Sequence, residues 1–252
     1  MKPVDCHCHL NFEQFKGDFD EVIKRAREKL EFLVCAGCDL ETNREVLKLS
    51  EKYESFIVPT LGLHPTFQSS FDDIKKVKEQ IRKENPVAIG EIGLDHHHVT
   101  EEKERKQQRK VFEEMVRLAE EMGKPVVVHS REAESQCIEI LASSNVDKVM
   151  MHCFNGTVEQ TREAVDNGFK IGVTTQLLYS SRVEDIVEEL DVEDILLETD
   201  SPFLYPEETN EPSNVTEIVN EISEIKSVNK EELVEATGRN AREMFRPDYG
   251  DK

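Results

Sequence analysis

The chain of 252 residues contains no tryptophan, and aromatic side chains of all kinds make up only 6% of it. Proteins that bind single-stranded nucleic acid usually stack its bases on aromatic side chains in a positive groove, so the composition predicts no broad platform of that type. No apolar run approaches the roughly 18 residues that cross a membrane, and no basic and apolar leader precedes the first predicted strand. We therefore expect a cytoplasmic protein that does not contact a membrane.

Basic residues are also scarce relative to acidic ones. The chain carries 32 Lys and Arg against 53 Asp and Glu, which gives a formal net charge of −21. Such a surface repels nucleic acid and anionic membranes at long range. A phosphate-containing substrate must then be captured locally, by metal ions and a few cations. The acidity is equally typical of solubility at high salt, and nothing in the sequence indicates an obligate protein partner.

The cysteines do not form a recognisable disulfide framework. They are Cys6, Cys8, Cys35, Cys38, Cys137 and Cys153. Most lie in or beside apolar, strand-like segments, where free cysteine behaves as a small buried hydrophobe. Cys35 and Cys38 have the spacing of redox and zinc motifs, but no second pair and no thioredoxin-like context accompany them. We interpret all six as reduced.

Short apolar or β-branched runs alternate with amphipathic stretches along the chain. The runs with the length of strands are Val4–Cys8, Phe32–Ala36, Ile57–Leu61, Val87–Gly90, Val126–His129, Lys148–His152, Phe169–Val173 and Ile195–Glu198. Between two of them, the apolar residues of Glu102–Met122 recur at helical spacing. Strand–helix alternation implies parallel strands with right-handed crossovers, and eight units in 252 residues have the size of a TIM-type (β/α)8 barrel.

The last part of the chain departs from this alternation. Pro202–Pro212 is rich in proline and glutamate and is predicted to be a loop. Two helices are predicted after it, at Asn214–Ile225 and Lys230–Phe245. No linker or change of composition divides the chain, so we interpret residues 1–252 as a single α/β domain, a barrel followed by C-terminal helices.

Residue types that bind metals stand at the ends of five predicted strands. His7 and His9 are two residues apart on the first strand and therefore share one face. The other four end or follow later strands: Glu91, His129, His152 and Asp200. In a barrel the carboxyl ends of the strands meet at one mouth, where active sites lie. Four imidazoles and two carboxylates there suit two divalent ions that share a carboxylate, with Zn, Mn, Mg and Ni all acceptable.

The segments that carry these residues resemble the motifs of the TatD family of metal-dependent hydrolases, in the wider amidohydrolase-like group of barrels. In the family's order they are Asp5–Leu10, Gly62–Pro65, Ala88–Asp95, His129–Ala133, His152–Gly156, Glu198–Pro202 and Asn210–Pro212. The resemblance covers nearly the whole chain. It implies a TIM-like barrel and metal-dependent phosphodiester cleavage, with DNase or exonuclease activity in several members.

The resemblance also implies roles for individual residues. The histidine pair of the first strand, together with Glu91 and Asp200, is similar to the ligands of a first metal. Glu91 is also similar to a bridge toward a second metal held by His129 and His152. Asp200 resembles the residue that orients or deprotonates the attacking water, and a carboxylate beside an acidified water suits that task.

Two further residues are candidates for contact with a substrate. His64, in Gly62–Pro65, follows the third strand and is a catalytic and substrate-binding candidate, for a phosphate or a leaving oxygen; the alternative is a histidine that braces its own loop. Arg131 suits phosphate because a guanidinium matches its oxygens bidentately; the alternative is a salt bridge to a neighbouring glutamate. We interpret His96–His98 as an exposed loop without a role.

Two features of the sequence differ from a typical nuclease of this family. Its members usually carry basic residues just before Asn-x-Pro, whereas Glu207, Glu208 and Thr209 precede Asn210 here. Aromatic side chains near the predicted mouth are few, and each suits packing as well as stacking on bases. They are Phe154, Tyr179, Phe203 and Tyr205.

We therefore hypothesise a metal-dependent phosphodiesterase, DNase-like and exonuclease-like, that cleaves DNA or short nucleotides with a metal-activated water. A same-class alternative is a hydrolase of a small amide, ester or phosphorylated metabolite, which the acidic surface favours. Glu91 stands where a carbamylated-lysine amidohydrolase has its lysine, which argues against that branch. A non-catalytic metal-binding or partner-binding barrel is the alternative of another class, but it predicts a damaged site, and no ligand position is damaged.

Overall fold

The computed structural model describes residues 1–67, 71–206 and 208–245. Parallel strands form one sheet in sequence order, which confirms the predicted barrel. They are β1 (Asp5–Cys8), β2 (Leu33–Ala36), β3 (Ile57–Leu61), β4 (Ala88–Gly93), β5 (Val126–His129), β6 (Val149–Met151), β7 (Lys170–Val173) and β8 (Ile195–Leu197). Most of their residues are buried and apolar, because helices cover one face and the barrel interior the other.

Within the described residues, one α-helix follows each of the first seven strands, and two follow β8. They are α1 (Phe19–Lys29), α2 (Leu40–Lys52), α3 (Phe71–Glu84), α4 (Glu102–Met122), α5 (Glu134–Ala142), α6 (Val158–Asp166), α7 (Ser181–Glu189), α8 (Val215–Lys226) and α9 (Lys230–Phe245). The bounds of α4 and α9 are those predicted. The α8 helix begins one residue later than predicted, because Asn214 ends a short 3-10 turn. The segment before that turn is a loop as predicted, with Glu207 outside the described residues.

The ends of the barrel segments follow local sequence signals. A capping box between Asp39 and Thr42 begins α2, and Gly123 ends α4 in the left-handed conformation, with φ +61°. The β4 strand continues to Gly93, beyond its predicted end at Gly90. Gly93 has φ +143°, and a side chain there would collide with the carbonyl oxygen of His129. Glycine therefore lets β4 lie against β5 at the mouth.

The barrel closes where β1 meets the segment after β8. Cys8 and Ser201 form an isolated parallel bridge. The His9 N–H donates to the Ser201 carbonyl over 2.7 Å, and the Asp200 N–H donates to the His7 carbonyl over 2.9 Å. The backbone that carries the histidine pair is thus bonded directly to the backbone that carries Asp200.

Helix α9 covers the end of the barrel opposite the mouth. Its residues Met244 and Phe245 form an apolar cluster with Val34 of β2, Val127 of β5 and Leu196 of β8. Side chains from such distant strands meet only inside the barrel, so α9 closes the interior from the amino ends of the strands. The mouth at the carboxyl ends of the strands stays open, and active sites of such barrels lie at that end.

Two general predictions bear on the surroundings of the protein. Each of the six cysteines is free, as predicted, and Cys153 is the one that is partly exposed. Across the described ranges, we find no helix both long and apolar enough to cross a bilayer. The cytoplasmic location stays a prediction.

Candidate metal centre

The residues predicted as metal ligands come together at the mouth. They are His7, His9, Glu91, His129, His152 and Asp200. Glu91 lies at the centre and is buried. Its Oε2 is 3.4 Å from His7 Nε2 and 3.5 Å from His9 Nε2. Its Oε1 is 3.0 Å from His129 Nδ1 and 3.7 Å from His152 Nε2. Each carboxylate oxygen therefore faces a different pair of the histidines predicted as ligands, as a bridging ligand does.

Asp200 lies between the same two pairs. Its Oδ1 is 3.4 Å from His9 Nε2 and 3.7 Å from His152 Nε2. The Nε2 atoms of His7 and His9 are 3.1 Å apart, so at most one of them carries a proton toward the other. Ring nitrogens and carboxylate oxygens that converge in this way form a donor set suited to divalent transition metals.

Hydrogen bonds on the outer side of the rings select the nitrogens that face the centre. Glu198 Oε2 is 2.7 Å from His152 Nδ1, and Glu198 Oε1 accepts from the Cys153 N–H over 2.6 Å. Asp95 Oδ2 is 2.9 Å from His129 Nε2. Carboxylates in this position orient metal-binding histidines and increase their basicity.

Sequence reasoning missed both of these supporting carboxylates. The available signal was their position, since Glu198 is two residues before Asp200 and Asp95 is four residues after Glu91, inside the motif segments.

The charges of the centre are tightly coupled. Burial raises the pKa of a carboxyl, but at Glu91 the nearby His64 and His152 outweigh it and hold its pKa well below the ordinary value. Burial likewise opposes a charge on His129, yet hydrogen bonds to Asp95 and Glu91 raise its pKa to about 9. Glu91 is thus ionised, and His129 carries a proton beside it that a bound metal ion would displace.

His64 lies closer to the centre than its predicted role requires. Its Nε2 is 3.2 Å from Glu91 Oε1 and 3.3 Å from His129 Nδ1. Its Nδ1 is 2.8 Å from the Thr66 hydroxyl oxygen, so it also braces its own loop. Both roles considered for His64 are therefore compatible with its position.

Arg131 is exposed and lines the mouth. The alternative for this residue was an ion pair with a neighbouring glutamate. Glu132 instead binds His97, with 2.7 Å between Oε1 and Nδ1. Among the described residues no carboxylate forms an ion pair with Arg131, so its guanidinium is available to a ligand.

His96–His98 is a loop as predicted, and His97 and His98 are exposed, but the interpretation is wrong about the exposure of His96 and about the lack of a role for His98. His96 is buried. The backbone N–H of His98 donates to Asp95 Oδ1 over 2.7 Å, and its Nδ1 is 2.9 Å from Asp95 Oδ2. His98 thus helps to fix the carboxylate that holds His129, and its side chain lines the mouth. The three histidines lie outside a regular element, so no periodicity in the sequence indicated that His98 binds Asp95.

The mouth opens into a cavity of about 620 Å³. Phe12, Phe203 and Leu204 form an apolar wall on one side, next to His9, and Asn155 and Gln176 lie elsewhere on the lining with Arg131. Cavities of roughly 300–1,000 Å³ are typical of sites for small ligands.

The aromatic candidates differ in their positions. Phe203 lines the cavity and is 42% exposed. Phe154 is buried in the core, as a packing residue is. Tyr179 is 54% exposed but does not line the cavity. The Tyr205 hydroxyl donates to Glu217 over 2.9 Å, away from the centre. Phe12, which the sequence analysis did not single out, is the second aromatic residue of the wall.

The Asn-x-Pro segment supports the loop after β8. The buried Asn210 side chain donates to the carbonyl oxygens of Thr199 and Phe203, over 2.9 Å and 2.7 Å. Glu211 pairs with Arg25 over 2.7 Å, and Glu208 is exposed. The segment thus fixes the backbone on both sides of Asp200.

Comparisons with known proteins agree with this geometry. The family described as TatD related DNase matches residues 4–246. A protein of Bacillus subtilis named "Uncharacterized metal-dependent hydrolase YabD" is 35% identical, over 96% of this chain and 98% of its own. Human "Deoxyribonuclease TATDN3" is 32% identical, over 96% and 94%. The crystal structure of YJJV, a TatD homolog from Escherichia coli K12, superposes with a TM-score of 0.88 at 26% identity, covering 96% and 97%.

Proposed function

The chain belongs to the TatD family of metal-dependent hydrolases, and from this premise we propose that it cleaves phosphodiester bonds at the ends of nucleic acid strands or in short nucleotides. The observation that carries the proposal is the position of Glu91, whose two carboxylate oxygens face two different pairs of imidazoles. Such a carboxylate suits two neighbouring divalent ions. Zn, Mn, Mg and Ni are all candidates, since mixed imidazole and carboxylate sites accept several metals.

The ligand residues would be divided between the two ions. His7 and His9, at the end of β1, would hold the first together with Asp200. His129 and His152 would hold the second, and Glu91 both. When bound, divalent ions acidify water and neutralise charge on phosphoryl oxygens. The chain's own contribution is then positional: Asp200 accepts the proton of the attacking water, and Arg131 binds a phosphate oxygen. His64, beside Glu91, contacts the leaving oxygen.

The shape of the mouth favours strand ends over long strands. A nuclease that tracks a polymer holds it in a positive groove, but this surface is strongly acidic. Arg131 is the one arginine among the described residues that line the cavity. The cavity of about 620 Å³ suits the last nucleotides of a strand. This preference agrees with exonuclease-like action.

The test is an assay of end-labelled single-stranded DNA and of bis-p-nitrophenyl phosphate, with added Mg, Mn, Zn or Ni. We expect metal-dependent cleavage that chelation abolishes and His7→Ala removes. The matched control is His97→Ala, because His97 is exposed and outside the cavity lining. Activity that survives both chelation and His7→Ala would overturn the proposal.

A second candidate is a hydrolase of a small ester, amide or phosphorylated metabolite. The observation that favours it is the volume of the same cavity, which suits a small molecule. A panel of such substrates, assayed with the same metals, separates the two. Hydrolysis of a small compound without any degradation of DNA or of the diester would select this candidate.

A further inference from the structure

We propose that the ring of Phe203, supported by Phe12, stacks on a single nucleobase, and that this contact selects nucleotides among phosphodiesters. The inference rests on the proposed phosphodiesterase function and names the part of the substrate that the apolar side of the mouth recognises. The two residues are called the phenylalanine wall below.

The phenylalanine wall is continuous with the candidate metal centre. The Phe12 ring stacks on the ring of His9, with 4.8 Å between centroids and 20° between planes. The Phe203 ring makes edge contacts with both of these rings. Its centroid is 5.8 Å from that of Phe12 and 6.3 Å from that of His9. A flat group placed on this wall therefore lies beside a ligand of the proposed first metal.

Packing alone does not account for the position of Phe203. Phe203 is 42% exposed, which makes it one of the few large apolar residues in the described part of the chain left in contact with water. It lies inside the cavity rather than on the outer surface. Covering it with a second flat ring removes apolar area from water and adds the favourable geometry of aromatic contact.

The wall is held in place before any ligand arrives. The Phe203 N–H donates to the Asp200 carbonyl over 3.0 Å, and its own carbonyl accepts from the Asn210 side chain over 2.7 Å. The Phe12 N–H donates to the His9 carbonyl over 3.2 Å. The backbone of each phenylalanine is thus hydrogen-bonded to the backbone of a proposed metal ligand, and a preformed surface lowers the entropy lost on binding.

The opposite side of the mouth has the complementary chemistry. The wall follows β1 and β8, whereas Arg131 follows β5, which is four strands from β1 around the barrel and therefore across the mouth. A nucleotide has the same division, with a flat base at one end and an anionic phosphate at the other. Because the rest of the surface is acidic, one stacked base must supply binding energy that a basic groove supplies elsewhere.

The test compares two ligands that share the phosphate, thymidine 5′-monophosphate and deoxyribose 5-phosphate, by calorimetry with the metal-loaded protein. We expect the nucleotide to bind roughly 5- to 150-fold more tightly, the range of one base stacked on one aromatic ring. Phe203→Ala should remove most of this difference, and Phe203→Tyr should keep it. Phe12→Leu is the second variant, and thermal unfolding checks that each variant is folded.

The matched control is Tyr179→Ala, which deletes an exposed aromatic side chain outside the cavity. It should bind both ligands as the wild type does. A substrate arm uses the dinucleotide of thymidine and its 5,6-dihydrothymine analogue, which has the same charge and nearly the same size but no planar base. Phe203→Ala should raise KM for the first and leave the second unchanged.

The outcomes separate this inference from the function on which it rests. Equal affinity of the wild type for the two ligands, or an equal loss for both in Phe203→Ala, would overturn the stacking site while diester cleavage continued. If the wild type bound neither ligand and cleaved no diester with any metal, the proposed function itself would fail, and the inference with it.

Discussion

The Asp5 carboxylate accepts two hydrogen bonds from Thr199, one from its backbone N–H over 2.9 Å and one from its hydroxyl over 2.6 Å. It also accepts from the His7 N–H over 3.2 Å, and it is fully buried. Thr199 directly precedes Asp200. One buried side chain therefore fixes the distance between the histidine pair and Asp200 across the line where the barrel closes.

Replacement of Asp5 by alanine should weaken both the fold and the metal centre. It leaves buried N–H groups of His7 and Thr199 without a partner, which costs about 3 kcal/mol of unfolding free energy. Loss of a residue that orients ligands should lower metal affinity roughly 10- to 100-fold. Denaturant unfolding and metal titration measure the two effects. Asp147→Ala, at an exposed position, is the control; wild-type stability and affinity in Asp5→Ala would contradict the role.

Glu91→Gln tests whether one carboxylate serves two ions. An amide offers one good acceptor and no charge, so we expect affinity to fall at both ion positions, with activity down by about 100-fold or more. The metal-to-protein ratio after dialysis, measured by mass spectrometry, is the decisive value. Retention of one tightly bound ion would mean that Glu91 belongs to the other ion alone. Glu132→Gln, exposed and paired with His97, should keep the wild-type ratio.

The two supporting carboxylates should act on different histidines. Asp95→Asn removes the charge of the carboxylate that holds His129, and Glu198→Gln removes the charge of the one that holds His152. Each change should lower metal affinity about 10- to 100-fold. Heteronuclear NMR of the ring nitrogens reports which histidine changes its tautomer. A change at His152 in Asp95→Asn, without one at His129, would contradict this assignment.

Gly172→Ala should disturb the centre from outside it. A Cβ at Gly172 would collide with Glu198 Oε1, which displaces the carboxylate from His152. We expect a loss of roughly 1–3 kcal/mol of unfolding free energy, as for other overpacked sites, together with reduced metal affinity. Gly17→Ala is the control, since nothing lies within 4 Å of the added Cβ. Equal behaviour of the two variants would show that Glu198 has room to move.

Arg131 should contribute to phosphate binding rather than to stability. Arg131→Ala is expected to raise KM for a diester about tenfold and to lower the salt dependence of DNA binding by about one unit of slope. Arg131→Lys should recover part of the loss, because it keeps the charge but not the bidentate geometry. Arg239→Ala, an exposed arginine of α9, is the control. An unchanged salt slope in Arg131→Ala would remove Arg131 from the binding site.

The fold and the convergence of the ligand residues were predictable because both follow from order along the chain. Apolar runs mark the strands, and parallel strands bring the residues at their carboxyl ends together. The bounds of β3 and β5 agree with the prediction, and His7 and Glu91 lie at the mouth as expected.

What the sequence did not reveal depends on side-chain direction. Glu198 belongs to a segment already recognised, but no periodicity tells that its carboxylate turns toward His152. Phe12 lies outside every quoted motif, and only the path of the chain after β1 places its ring on His9. The role of His98 could be recognised only from the position of Asp95, to which its side chain is hydrogen-bonded.

The closure of the barrel between His7 and Asp200 also has a consequence for the synthesis of the protein on the ribosome. The histidine pair is synthesised first, but its partner Asp200 follows the last strand, and their backbones are hydrogen-bonded only after that strand emerges. Contacts of such long sequence separation form late in folding. A nascent chain short of β8 therefore carries most of the ligands without an assembled centre. Translation itself would keep the centre unassembled until β8 and Asp200 have been synthesised.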